Sequence, residues 1–220
     1  MGRVFALKNV RIYYKKLRSM KFISHLDMTR FMARLITKSG IPIWYTEGFN
    51  QHVYMNFAVP LSLGFEGLYE IMDIRLVDDD YSLEDCLEAL KSACPPDIEF
   101  VGITEGGAHM KTIGFAEYEL VFEEYGEDVS AKLANFLNSE SILCQKVGKK
   151  GRVKEIDLIP KIKSYELTEN GVKLVLVAGS EDNLNPTLVI ATFFEQCGIE
   201  PIYYTVSRTM IYNKEMEEFK

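Results

Sequence analysis

The residues of this chain that could do chemistry are concentrated near its amino terminus. His25 stands at the start of a predicted helix with Lys21 and Arg30 close by, and His52 ends the string EGFNQH at 47–52. Backbone N–H groups at a helix start point outward, and the helix dipole favours anions there. This arrangement predicts a pocket for a phosphate or carboxylate, with His25 as a hydrogen-bond donor or as a general acid or base.

The string EGFNQH predicts a tight turn that leads into a strand. Gly48 can adopt the unusual backbone angles of such a turn, and Asn50 tolerates them. An exposed Phe49 could stack on a nucleobase or a cofactor ring, whereas a buried Phe49 would fill the core. The turn therefore contributes four candidate binding residues: Glu47, Phe49, Asn50 and His52.

A metal site is a second interpretation of the same region. His25, Asp27 and His52 would together form a ligand set of two histidines and one carboxylate. However, residues two positions apart on a helix diverge, and Ser24 with Asp27 has the spacing of a capping box. The capping interpretation competes with the metal interpretation for Asp27.

Charge is unevenly distributed along the chain, whose net charge is −7. Residues 1–40 hold ten basic residues and one acid, and residues 146–163 hold seven basic residues and two acids. Two basic segments on an acidic background favour an anionic partner such as RNA, although solvated strands and helices also carry charge. The second segment supplies four further candidate binding residues: Lys149, Lys150, Arg152 and Asp157.

Bulk properties predict a soluble cytoplasmic protein with no membrane partner. No apolar run approaches the roughly 18–20 residues needed to cross a bilayer, and the start MGRVFALKNV lacks the pattern of a secretion signal. The four cysteines show no CxxC spacing, so the sequence predicts neither a zinc ribbon nor an iron–sulfur cluster.

The elements that must position these residues follow a regular order. A strand at 9–17 precedes a helix that Ser24 caps and Gly40 ends; two strands, a helix from Ser82 and another strand follow. This order is β-α-β-β-α-β. Beyond a joint at 106–110 it recurs, with one additional strand or extended hairpin.

The repeated order predicts an α+β fold with two ferredoxin-like (βαββαβ) halves packed side by side. The first half spans 1–107 and carries the strings FISHLD and EGFNQH, and the second spans 108–220 and carries the extended hairpin. Within the second half, Asp128 is the predicted helix cap, and one strand is predicted over 154–165.

The strings FISHLD at 22–27, EGFNQH at 47–52 and PLSLG at 60–64 resemble those of a known family, the radical-SAM-linked (radical-SAM-associated) proteins, a domain of unknown function. The later string EIDLIP at 155–160 also fits, whereas Gln51 departs from the proline usual in the family. The resemblance implies an accessory protein that works with a radical S-adenosylmethionine enzyme on an RNA or translation-related substrate. It implies that S-adenosylmethionine and an iron–sulfur cluster belong to the partner, with no cofactor in this chain.

Two other functions stay open on the residues alone. The chain could be an independent RNA-binding or RNA-processing protein that uses His25 as its catalytic residue, or a small-ligand or metal-binding domain. The sequence contains no P-loop, dinucleotide fingerprint, nucleophile elbow or HExxH helix. Residue types alone therefore define no reaction.

Overall fold

The computed structural model describes residues 6–147 and 153–220. The chain divides into two compact units, of which the first comprises residues 1–112 with Phe219 and Lys220, and the second comprises Ile113–Glu218. The division follows Thr112, whereas the sequence predicts a boundary after residue 107. Nothing in the sequence pattern indicates that the last two residues belong with the first unit.

The first unit forms an antiparallel sheet with helices on one face. Its elements are β1 (Lys8–Lys16), α1 (His25–Ser39), β2 (Met55–Phe57), β3 (Glu66–Leu76), α2 (Leu83–Ala93) and β4 (Ile98–Glu105). The strands lie in the spatial order β4-β1-β3-β2. The predicted βαββαβ order is therefore confirmed, and the first strand lies between the fourth and the third.

Helix α1 begins and ends at the residues that the sequence predicts. Ser24 is its N-cap and accepts a hydrogen bond from the backbone N–H of Asp27 at 3.1 Å. Gly40 follows its last turn with a left-handed φ of 75°. Four side chains of α1 are buried, and their spacing places them on one side of the helix: Met28, Met32, Leu35 and Ile36.

The core of the first unit lies between these helices and alternate residues of the sheet. Every second residue of β1 and of β3 faces it, because side chains alternate along a strand. The strand residues in this core are Val10, Ile12, Tyr14, Met72, Ile74 and Leu76. The intervening residues of both strands point to the opposite face of the sheet.

The second unit repeats the architecture with an inserted hairpin. Its elements are β5 (Ile113–Phe122), α3 (Glu127–Leu137), β6 (Leu143–Val147), β7 (Val153–Asp157), β8 (Ile162–Thr168), β9 (Gly171–Val177), α4 (Pro186–Cys197) and β10 (Tyr204–Asn213). Strands β10-β5-β9-β8 form an antiparallel sheet in that order, and β6 and β7 pair separately. Each unit thus has the ferredoxin-like fold that the sequence predicts, and the extra element is the hairpin of β6 and β7.

Two local predictions in the second unit are wrong. Gly126, not Asp128, is the N-cap of α3; Asp128 lies in the first turn, where an acid interacts favourably with the helix dipole. The strand predicted over 154–165 is interrupted by a 3₁₀ turn at Ile159–Lys161. Pro160 lies in that turn and has no N–H to donate to a sheet, so β7 and β8 are separate strands with different partners.

The helices of the described residues are short. A helix needs about 20 apolar residues to cross a bilayer, and the longest helix, α1, has 15 residues. Within the described chain, no helix has both the length and the apolar character of a membrane span.

Candidate functional site

His25 is the first residue of α1, and its imidazole packs edge-on against the ring of Phe57. The ring centroids are 5.2 Å apart with an interplanar angle of 81°, a favourable geometry for two aromatic rings. Phe57 is the last residue of β2. The contact therefore links the string FISHLD to the strand that follows the string EGFNQH.

A small cavity of about 10 Å³ lies beside His25. This volume is close to the space that one water molecule requires. Its lining combines three polar residues with apolar ones: Tyr14, Lys16 and Glu70, and Met28, Phe57, Val59 and Leu61. Because the cavity is too small for a substrate, a ligand of His25 must approach the solvent-exposed side of the imidazole.

Two of the residues that line this cavity carry buried charge. Lys16 and Glu70 are only 3% and 4% exposed. The Nζ atom of Lys16 donates a hydrogen bond to the carbonyl oxygen of Ile23 at 3.2 Å. A Cβ atom at Gly67 would lie 2.5 Å from the Cγ atom of Glu70, so the glycine makes room for the glutamate side chain. Because the two charges have opposite signs, each reduces the free-energy cost of burying the other.

Lys16 and Glu70 are not among the site residues predicted from the sequence, although the sequence holds a signal for both. Lys16 comes two residues after Tyr14 and continues the buried face of β1, and Glu70 comes two residues before Met72 on the buried face of β3. A charged residue on an otherwise apolar strand face indicates a polar partner inside the protein.

The surroundings of His25 lower its pKa below the usual 6.5. Burial is the largest cause and the positive charge of Lys16 is the second, while the negative charge of Glu70 opposes them. The imidazole is therefore mainly neutral near neutral pH. A neutral imidazole can accept a proton or a hydrogen bond, which fits the role of a general base.

Asp27 is engaged in capping rather than available for a metal. Ser24 donates its hydroxyl hydrogen to Asp27 Oδ2 at 2.7 Å, and Arg30 Nη1 lies 3.4 Å from Asp27 Oδ1. Among the described residues, ligand atoms of three potential metal ligands converge within 4.8 Å only at the adjacent acids Asp78, Asp79 and Asp80. The structure thus does not bring His25, Asp27 and His52 together as a metal site.

The turn of EGFNQH projects into solvent. Gly48 has a φ of 116°, which favours glycine, and His52 Nδ1 lies 3.0 Å from both Thr46 Oγ1 and the carbonyl oxygen of Asn50. His52 therefore stabilises the turn through contacts within it. The side chain of Phe49 is fully exposed and does not fill the core. All four candidate residues of the turn are exposed: Glu47, Phe49, Asn50 and His52.

The predicted cationic neighbours of His25 both pair with acids. Lys21 lies 4.0 Å from Glu66, and Arg30 pairs with Asp27. Four more basic residues of segment 1–40 form ion pairs: Lys8 with Glu105, Arg11 with Asp73, Lys15 with Glu99, and Arg18 with Asp97. Much of the positive charge of this segment is therefore compensated within the first unit.

The second basic segment is only partly described. Lys149, Lys150 and Arg152 lie outside the described residues, so their role stays a prediction. The Oδ1 atom of Asp157 accepts hydrogen bonds from the backbone N–H groups of Ile142 at 3.0 Å and Ile159 at 3.1 Å. The bond from Ile142 is the main cause that lowers the pKa of the Asp157 carboxyl. Asp157 thus fastens the base of the hairpin formed by β6 and β7.

Residues 9–186 match the model of a protein family described as "Uncharacterized protein conserved in bacteria (DUF2344)". The chain belongs to this family, a domain of unknown function. The matched range contains all three strings around His25. No curated protein is significantly similar to the chain.

Among solved structures, the crystal structure of a candidate glycine cleavage system transcriptional repressor resembles this chain weakly. The two are 10% identical over 91% of this chain and 96% of the other, with a TM-score of 0.27. A likeness at that level supports no conclusion, and the assignment of the ferredoxin-like fold rests on the strand order of each unit.

Proposed function

We propose that this protein is an accessory subunit that docks onto a radical S-adenosylmethionine enzyme and acts with it on an RNA or translation-related substrate. The resemblance of the strings FISHLD, EGFNQH and PLSLG to radical-SAM-linked proteins suggests the class of the partner. The observation that carries the proposal is the outward direction of large apolar side chains in these same strings.

Four apolar side chains of the three strings face solvent. Phe22, Leu26 and Leu63 are 67%, 59% and 63% exposed, and Phe49 is fully exposed. We call these four residues the exposed motif residues. Large apolar side chains that cluster in a few exposed segments are typical of a surface that binds another protein.

The strings FISHLD and PLSLG lie next to each other in the first unit. The backbone N–H of Gly64 donates to the carbonyl oxygen of Lys21 at 2.8 Å. Phe22 and Leu63 each adjoin one partner of that hydrogen bond, and Leu61 lines the same cavity as His25. The backbones of FISHLD and PLSLG therefore meet next to Phe22 and Leu63, and we expect a partner that covers both side chains to bind near His25.

The proposal assigns S-adenosylmethionine and the iron–sulfur cluster to the partner. A cluster is held by cysteine thiolates. Burial raises the pKa of the thiols of Cys86 and Cys94 to about 11, so both are protonated near neutral pH. Cys144 is also buried. These cysteines suit a structural role better than a ligand role.

Affinity capture from native lysate tests the docking proposal. The baits are the wild-type chain, a motif variant with Phe22→Ser, Leu26→Ser and Leu63→Ser, and a control variant with Val101→Ser, Val121→Ser and Tyr203→Ser, which changes exposed apolar residues elsewhere. We expect the wild type and the control to enrich a radical S-adenosylmethionine enzyme and the motif variant to lose it. Equal capture by the motif variant would overturn the proposal, as would wild-type bait that enriches no enzyme of this class.

Direct RNA binding is the second candidate function, and two exposed cations favour it. Arg34 and Lys38 lie on the outward side of α1, and neither forms an ion pair within the described residues. Exposed Phe49 could stack on a base. Because phosphate contacts weaken with salt, Arg34→Gln with Lys38→Gln should lower RNA affinity and flatten its salt dependence.

The RNA test compares that double variant with Lys91→Gln, which removes an exposed cation from α2. A separate variant that neutralises Lys149, Lys150 and Arg152 tests the second basic segment. Unchanged RNA affinity at low salt in both multiple variants would exclude direct RNA binding through these segments, and would leave the docking proposal untouched.

A further inference from the structure

The face of the first unit's sheet that points away from α1 and α2 carries a row of polar residues. Asn9 and Arg75 are register partners on β1 and β3, as are Arg11 and Asp73. Asn56 of β2 is the register partner of Asp73 on its other side. These five residues are neighbours on one face, because side chains in register on adjacent strands point the same way.

The polar row forms one wall of a cavity of about 270 Å³. The remaining lining comes from Val10, Tyr54 and the loop at 106–110. None of the residues that line the cavity beside His25 contributes to it. It is therefore a separate feature, and it is large enough for a small molecule.

Arg11 carries a buried donor that lacks a partner. The residue is 1% exposed, and its Nη1 atom has no hydrogen-bond partner among the described residues. Its Nε and Nη2 atoms donate to the two oxygens of Asp73 at 2.7 and 2.8 Å, and Nη2 also donates to the carbonyl oxygen of Ala108. A buried donor left unpaired is costly. Gly107 makes room for this guanidinium, since a Cβ atom there would lie 2.3 Å from Nη1.

Arg75 contributes a second cation to the cavity. Its Nε atom donates to Asn9 Oδ1 at 2.8 Å, and its guanidinium lies 4.3 Å from the ring of Tyr54 and 5.4 Å from that of Trp44. It has no ion pair within the described chain. The aromatic rings hold the guanidinium in place without neutralising its charge.

His109 adds a neutral donor from the loop. Its Nδ1 atom accepts a hydrogen bond from the backbone N–H of Lys111 at 3.1 Å, so Nε2 carries the proton. Both oxygens of Asp73, the one acid that lines the cavity, already accept from Arg11. The wall is therefore rich in donors and has two cations against one carboxylate.

We propose that this cavity binds a phosphate group, either as free phosphate or as a small phosphate monoester. Arg75 supplies the charged donors, Arg11 adds a positive charge to the wall, and Asn56 and His109 supply neutral donors. Guanidinium groups match the geometry of phosphate oxygens well. A tetrahedral phosphate offers acceptors in more directions than a planar carboxylate and so suits donors on several walls.

Trp44 makes the proposal directly measurable, because it is the single tryptophan of the chain and lies beside Arg75. Inorganic phosphate and ribose 5-phosphate are titrated into the full chain, with ionic strength held constant by chloride and with acetate as a carboxylate control. We expect a saturable change in Trp44 fluorescence with at least one of the two phosphates. Tighter binding of ribose 5-phosphate would identify a monoester site, and tighter or equal binding of inorganic phosphate would identify a free-phosphate site.

Two variants of cavity residues test whether phosphate binds in this cavity. Arg75→Gln should weaken phosphate binding by about tenfold or more, and Lys91→Gln should leave it unchanged. Because Arg75→Gln also alters the surroundings of Trp44, Asn56→Asp, which places a second carboxylate in the cavity, is measured by calorimetry and should weaken binding similarly. The proposal is overturned if neither phosphate binds saturably, if acetate binds as tightly as phosphate, or if both cavity variants retain wild-type affinity.

Discussion

The imidazole of His25 meets the ring of Phe57 edge-on, with 5.2 Å between the ring centroids. This contact ties the first turn of α1 to β2, beside a cavity that Lys16 of β1 and Glu70 of β3 also line. Three strands and one helix therefore set the surroundings of the strongest candidate for a functional side chain.

The cap of α1 should matter more for stability than His25 does. Ser24→Ala removes the side-chain acceptor of the Asp27 N–H and should lower the free energy of unfolding by about 1 kcal/mol. His25→Ala should cost less, because the imidazole is exposed on one side. Urea denaturation of both variants checks this order. A larger loss in His25→Ala would mean that His25 is mainly structural.

Stability should depend on pH through His25. Its pKa in the folded protein lies below 6.5, so the unfolded chain takes up a proton at a pH where the folded chain does not. The folded state therefore loses stability as pH falls from about 6.5 towards the folded pKa. Unfolding free energies at neutral pH and at about pH 5.5 should differ less in His25→Gln than in the wild type. An equal or larger difference in the variant would refute this assignment.

The contributions of Lys16 and Glu70 to the free energy of unfolding should be strongly coupled. Lys16→Met leaves the buried carboxylate of Glu70 without that positive charge and should cost about 3–5 kcal/mol. The double variant Lys16→Met with Glu70→Leu should be more stable than the sum of the two single losses predicts, because it removes both charges. A double-mutant cycle of unfolding free energies measures the coupling. Simple additivity would show that the two charges do not compensate each other.

Asp157 should stabilise the base of the hairpin of β6 and β7 against local opening. Its lowered pKa means that it stabilises the folded state above the unfolded pKa near 3.8, and this stabilisation is lost as pH falls through the folded pKa. Asp157→Ala should speed hydrogen exchange of the Ile142 and Ile159 amides at neutral pH. Glu155→Gln, which changes an exposed acid on the same strand, is the matched control. Unchanged exchange in Asp157→Ala would contradict the hydrogen bonds from the Ile142 and Ile159 amides to Asp157.

The sequence alone determined the ends of most helices and the order of elements in both units. Ser24 and Gly40 delimit α1, and Ser82 is the N-cap of α2, because capping depends on hydrogen bonds within a few residues. The cap of α3 was missed because Gly126 satisfies the backbone requirement without a side-chain bond. Strand alternation and turn residues also act locally, so the βαββαβ order could be predicted without the tertiary structure.

Only the tertiary structure decided which charged side chains form ion pairs. Arg11 pairs with Asp73 and Lys8 with Glu105, residues far apart in sequence, so a segment that is basic along the chain is largely compensated in space. The cavity between the sheet and the loop at 106–110 also forms only in the tertiary structure, because its donors come from three strands and from that loop. Local patterns determine which residues form a helix or strand, whereas strand register and packing determine which distant side chains meet. The exposure of the exposed motif residues and the unpaired donor of Arg11 therefore depend on the tertiary structure.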